Sequence, residues 1–160
     1  MRLQPPKSFI AIFCCLLSGL FGNAFLYAAE DVVIRLTANP EIAWVGEKVV
    51  LTLDVLGKDG WAQLIKIDEH QLNGGYVKRY ETQGTLLQET IAGDSYTGQR
   101  YEYLFFAQRS GELTIAPMAM KVEVKHWGAE TTNELVTTST PKLSLMVKTP
   151  PGTKTGEVLI

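Results

Sequence analysis

A period of two runs through the chain after Glu30. From Val32 to Ala38, the residues Val32, Ile34, Leu36 and Ala38 fall on one side, and Val33, Arg35 and Thr37 on the other. From Lys48 to Leu56, Val49, Leu51, Leu53 and Val55 alternate with Lys48, Thr52 and Asp54. Successive side chains of a strand point to opposite faces, so alternation over this length predicts strands with one buried face. Between the two, Asn39-Pro40 starts a turn, because proline fixes φ and removes a donor, and Gly46 supplies the backbone freedom to enter the next strand.

Further along, turn signals at Asn73-Gly74-Gly75, Gln83-Gly84 and Gly93-Asp94-Ser95 bound short strands predicted at Tyr76 to Thr82 and Leu86 to Ile91. The stretch Tyr101 to Met120, "YEYLFFAQRSGELTIAPMAM", reads as strand, turn, strand. Tyr101, Tyr103 and Phe105 share a face opposite Arg100 and Glu102, Gln108 to Glu112 form the turn, and Leu113 and Ile115 lie on the return. A hairpin of two core strands is the expectation. Pro117 fits a strand end or edge. Met120, Val122 and Val124 then alternate with Lys121, Glu123 and Lys125, and Leu143, Leu145 and Val147 make the last strand before "TPPG". The Thr- and Ser-rich segment 125–141, "KHWGAETTNELVTTSTP", predicts an exposed connection or a loosely held edge.

In the middle segment, from Trp61 to Gln99, a helix is the weaker alternative, because apolar spacing at three and four is not sustained there. About seven to nine short strands with frequent turns predict an all-β, antiparallel sandwich. It is Ig-like in architecture only, since the immunoglobulin pair of cysteines around a tryptophan is missing. Trp44 and Trp61 are the candidates to fill its core.

The first residues follow another pattern. Arg2 and Lys7 precede the apolar run "SFIAIFCCLLSGLFGNAFLYAA", and no further charge occurs before Glu30. A basic start, an apolar centre and a small-residue end predict a secretory signal, with candidate cleavage after Ala24, Ala28 or Ala29. The alternative is an uncleaved anchor, because about 20 apolar residues can span a bilayer. The expected organisation is a signal at 1–29, a sandwich at 30–150 and a tail at 151–160. A lipid anchor is not expected, as Ile12 and Phe13 precede the cysteines. Cys14 and Cys15 both lie in the signal, so the exported part has no disulfide and no thiolate chemistry. Its 131 residues are enough to bury a core of their own.

The whole chain carries 15 Lys and Arg against 17 Asp and Glu. Without residues 1–29 the count is 13 against 17, a formal −4. That balance argues against nucleic acid or an anionic membrane surface as partner.

No constellation for catalysis emerges. Gly-x-Ser-x-Gly and phosphate-loop patterns are absent. Asp68-Glu69-His70 is the one local cluster of possible ligands, and neighbours on a strand point to opposite faces, so a solvated loop is the expectation there rather than a metal site. His126 is expected to be structural. No motif picks a facing pair out of the 17 acidic residues, so a hydrolase has nothing specific in its favour. Trp127, Tyr80 and Tyr96 could together stack on a sugar, which keeps a carbohydrate- or peptidoglycan-binding module as the alternative function. No catalytic, cofactor or metal residues are assigned, and no cofactor or small-molecule substrate is expected.

Three segments, "ANPEIAWVGEKVVLTLDV", "YEYLFFAQRSGELTIAPMAMKV" and "PKLSLMVKTPPG", resemble in order and spacing the N-terminal region of the BatD family, the oxygen-tolerance proteins of bacteria. The matching positions are Val45-Gly46-Glu47, Gly111 to Pro117 and Val147 to Pro151. Ala107 and Ala116 stand where the family has prolines. Family members carry several such domains and a C-terminal membrane helix, whereas one domain is expected here. The resemblance implies an exported, non-enzymatic, periplasmic protein of the cell envelope. It also implies partners among von Willebrand A-domain membrane proteins, in systems with a MoxR-type ATPase linked to stress or aerotolerance. It supplies no catalytic residues. Function is then expected on a surface, such as an edge strand open to strand addition.

Overall fold

The computed structural model describes residues 28–29, 31–67, 74–79, 83–128 and 132–152, and its alternating segments are strands. In chain order they are β1 (Ala28–Ala29), β2 (Val32–Asn39), β3 (Ile42–Trp44), β4 (Lys48–Lys58), β5 (Gly60–Ile67) and β6 (Gly75–Arg79). Then follow β7 (Thr85–Ile91), β8 (Asp94–Ala107), β9 (Gly111–Ile115), β10 (Ala119–His126), β11 (Asn133–Ser139) and β12 (Leu143–Lys148). The described residues contain no helix.

One layer is a six-stranded sheet in the order β1-β2-β4-β8-β6, with β7 also on β8. β8 is long enough to serve two neighbours on one side, β7 along Asp94 to Arg100 and β6 along Tyr103 to Ala107. The other layer holds β11-β10-β5 and β3-β12-β9. These two groups form one surface, because β9 runs into β10 and β11 runs into β12. Ala119 pairs with Ser139 and Ile115 with Leu143, so the antiparallel register is unchanged across the interruption and Pro117 stands opposite Pro141. Neither proline has an N–H to donate, so the ladder opens there. The Met118 N–H donates to Thr140 Oγ1 at 3.0 Å, and the Thr140 N–H donates to the Met118 carbonyl at 3.0 Å. The buried side changes from odd to even residues between Ile115 and Met120, and from even to odd between Thr140 and Leu143. Both strands of the hairpin thus turn over together.

Breaks of this kind explain why there are more strands than expected. β2 and β3 are likewise one run, cut at a cis Asn39–Pro40 bond where the chain changes layer. β3 then lies parallel to β12, Ile42 beside Met146 and Trp44 beside Lys148.

The expected hairpin around Gly111 is not a hairpin. β8 pairs with β4, β6 and β7, whereas β9 pairs with β12. The turn at Gln108 to Ser110 carries the chain from one layer to the other, with Gly111 at φ 110°. The segment expected as a connection between Lys125 and Pro141 contains β11, paired with β10 along its whole length.

Between the layers lie the alternating residues of the sequence: Ile34, Leu36, Val49, Leu51, Leu53 and Val55 from one side, and Leu113, Ile115, Met120, Val122, Val124, Leu145 and Val147 from the other. Burial of each such side chain contributes about 1.5–3 kcal/mol. The large fillers are Phe105 and Tyr101, both almost wholly buried. The Tyr101 hydroxyl donates to Gln99 and accepts the Leu64 N–H at 3.1 Å, which ties the two layers. Neither tryptophan proposed for the core is in it. Trp44 and Trp61 have the parity of the outward face, alternating with buried Ala43 and Ala62.

Candidate functional site

Val45-Gly46-Glu47 forms the turn between β3 and β4, and three strands meet on it. The Val45 N–H donates to the Lys148 carbonyl at 2.9 Å, and the Gly46 N–H to the Ala107 carbonyl at 2.8 Å. Gly46 has φ 83°, a conformation that a side chain disfavours. The Glu47 carboxylate accepts the Trp44 N–H at 2.8 Å, and the Glu47 N–H donates to the Trp44 carbonyl at 3.0 Å. Both backbone groups of Trp44 are therefore occupied from within the turn. An edge strand whose groups are satisfied in this way cannot template another chain at that residue.

Beside the turn, the outward face is apolar. Ile42 is 55% exposed, Met146 46% and Trp44 42%, and Ile42 and Met146 are direct neighbours in the parallel pair. The sequence contained a signal for Met146. In Leu145-Met146-Val147 three apolar residues follow one another, and a strand can bury only alternate ones. The outward position of Ile42 needed the β3–β12 pairing, which local pattern does not encode.

The far end of the same layer carries polar groups, two indoles and the exposed Ile65 and Leu135. On the outward face of β5, β10 and β11, Glu123 Oε2 accepts the Gln63 amide at 2.7 Å and Glu123 Oε1 the Asn133 amide at 3.5 Å. The Lys125 ammonium lies 3.7 Å from the same carboxylate. Trp61 pairs with Lys125 across the ladder, and the Trp127 backbone N–H donates to the Asp59 carbonyl at 3.2 Å. Trp127 is 61% exposed.

The six-stranded sheet carries its charges on its own outward face. Arg35, Asp54 and Arg100 are successive cross-strand partners on β2, β4 and β8. Arg100 holds Asp54 with Nε on Oδ1 at 2.7 Å and Nη2 on Oδ2 at 3.0 Å. Arg35 lies 3.5 Å from Asp54 and bonds both oxygens of Glu89 on β7. The bond to Glu89 raises the Arg35 pKa and lowers that of Glu89, and the bond to Asp54 raises that of Arg100. Next to this cluster Val33, Leu56 and Tyr96 form a second, smaller core under Leu87 and Ile91. These charges are neutralised in pairs and hold β7 to the sheet.

The residues singled out from sequence are scattered. Tyr96 is only 8% exposed and sits on the six-stranded sheet, whereas Trp127 is on the other layer, so the two cannot share a sugar platform. Tyr80 and Asp68-Glu69-His70 lie outside the described residues. His126 is half-buried at the end of β10, with Nε2 3.4 Å from Glu134 Oε2. Among the described residues, no three His, Cys, Asp or Glu are grouped to hold a metal ion, and no helix is long and apolar enough to cross a membrane.

In comparison with known proteins, the family model described as BatD DUF11 like domain matches residues 36–147, from β2 to β12. No curated protein matches the chain, and no solved structure does.

Proposed function

Because the chain belongs to the BatD family, we propose that it is an exported, non-enzymatic protein-interaction module of the bacterial cell envelope. Residues 1–29 direct its export to the periplasm. It acts with von Willebrand A-domain membrane proteins and their MoxR-type ATPase in stress or oxygen tolerance. The observation that carries the reading is the apolar strip of Ile42, Met146 and Trp44 beside the family's Val-Gly-Glu turn. A solvent-facing apolar strip rimmed by polar residues is what a protein partner covers. Glu47 closes the edge at Trp44, so the partner is held through side chains there, while among the described residues β7 pairs only with β8 and β11 only with β10, which leaves each an edge for strand addition.

The test is crosslinking in cells of a C-terminally tagged chain, with recovered proteins and the chain's own N-terminus identified by mass spectrometry. Recovery of A-domain membrane proteins, lost on Ile42→Asp and Met146→Asp, supports the proposal. Recovery of no envelope protein, or recovery unchanged by both substitutions, overturns it.

A further inference from the structure

The outward face of β5, β10 and β11 has a composition that the apolar strip lacks. Two indoles stand on it, and beside them a carboxylate, two carboxamides and an ammonium are already joined by hydrogen bonds and charge. Trp61 lies opposite Lys125, and Trp127 opposite Asp59, so by register the two indoles are diagonal neighbours on one face. Cross-strand diagonal side chains sit about 7–8 Å apart. Glu123 is the hub for Gln63 and Asn133 and has Lys125 beside it. The bonds to Glu123 fix these groups before any ligand arrives, which lowers the ordering cost of binding.

We propose that this face binds a chain of β-linked pyranose rings. The C–H face of such a ring is apolar and flat, and it lies on an indole without loss of hydrogen bonds. Its equatorial hydroxyl or acetamido groups project sideways, where planar carboxylate and carboxamide groups meet them in pairs. A site of aromatic walls with a few fixed polar groups gives orientation as well as affinity. A protein partner of the usual kind would call for a dry centre, and here Glu123, Gln63 and Asn133 hold a polar network beside exposed Leu135. The site is independent of the strip around Met146, which lies across the Pro117–Pro141 break in the same layer.

The experiment is titration of the full chain with chitohexaose and, separately, cellohexaose, read by tryptophan fluorescence and calorimetry. Binding is expected for at least one, weakened tenfold or more by Trp127→Ala and by Trp61→Ala, and unchanged by Tyr76→Ala on the other sheet. Glu123→Gln keeps the shape and is expected to weaken binding several-fold, which guards against an unfolded tryptophan variant being misread. Absence of binding to both saccharides at millimolar concentration overturns the proposal. So does binding that survives both tryptophan replacements. Loss of envelope-protein crosslinks in Trp127→Ala, with no saccharide bound by the parent chain, assigns the face to a protein instead. Ile42→Asp separates the two readings, because it removes the crosslinks of the proposed function and leaves saccharide binding intact.

Discussion

Pro117 stands opposite Pro141 across the long hairpin of the second layer, and Thr140 closes the gap that the two leave. Two strands thereby lose a ladder bond at the same level, and the hairpin turns over without a shift of register. Thr140 is almost wholly buried, and its hydroxyl is the acceptor for the Met118 N–H. Thr140→Val should cost about 1–3 kcal/mol, the penalty for a buried donor without a partner. Thr140→Ser should recover most of it. Urea denaturation of the three proteins measures both.

Asp54 lies between Arg35 and Arg100 with its carboxylate largely buried. Asp54→Asn leaves two guanidinium groups facing each other across β4. A loss of about 2 kcal/mol is expected, less than for a fully buried pair because both arginines reach solvent. Thermal melts of the parent and of Asp54→Asn decide this, and an unchanged midpoint would show that water replaces the carboxylate.

Glu89 gives the same cluster a dependence on pH. Its hydrogen bond to Arg35 holds its pKa below the ordinary carboxylate value. A carboxylate depressed on folding stabilises the fold above its unfolded pKa of about 4.3. That contribution is lost as pH falls through the lower, folded value. The urea midpoint should decline below about pH 4.5 and do so less in Glu89→Gln. The effect is small, because the pair is open to solvent.

Gly98 on β8 pairs with Leu56 on β4. A Cβ there would lie 2.0 Å from the Val55 carbonyl oxygen and 3.0 Å from the Leu56 Cα. Both are backbone atoms of a central strand and cannot step aside as a side chain can. Gly98→Ala should destabilise beyond the usual 1–3 kcal/mol of overpacking. Yield of soluble protein and its melting midpoint are the readouts.

Glu47→Ala should release the Trp44 N–H at the edge of the sheet. About 1 kcal/mol of stability is expected to go with the hydrogen bond. The freed edge group next to exposed Ile42 should also promote self-association. Sedimentation velocity over a concentration series shows whether it does.

Period-two patterns named β2, β4, β10 and β12 and most of their buried residues, because alternation is a local consequence of which face meets the core. What they could not convey is which strand lies beside which. "YEYLFFAQRSGELTI" has the pattern of a hairpin whether Leu113 returns along Phe105 or departs to pair with Leu145. The strand β11 was hidden because Leu135 points outward and the threonines are polar on both faces, so no alternation shows. Glu123, Gln63 and Asn133 come from three strands, and their meeting depends on register alone. The tryptophans were misread for a different reason. Size favours burial on average, yet parity decides for each residue, and Ala43 and Ala62 hold the inward places beside Trp44 and Trp61.

The parallel pairing of β3 with β12 has a mechanical meaning. Val32 begins the first long strand near Gly57, and Lys148 ends the last one beside Trp44, at the opposite pole of the sandwich. A tension drawn between those poles runs along the strands, and it meets the bonds between Ile42–Trp44 and Met146–Lys148 side-on. Bonds loaded in that direction share the force and must break together, whereas a ladder peeled from one end yields one bond at a time. The short β3–β12 ladder, pinned by Val45 on Lys148 and by Gly46 on Ala107, is thus a clamp against stretching.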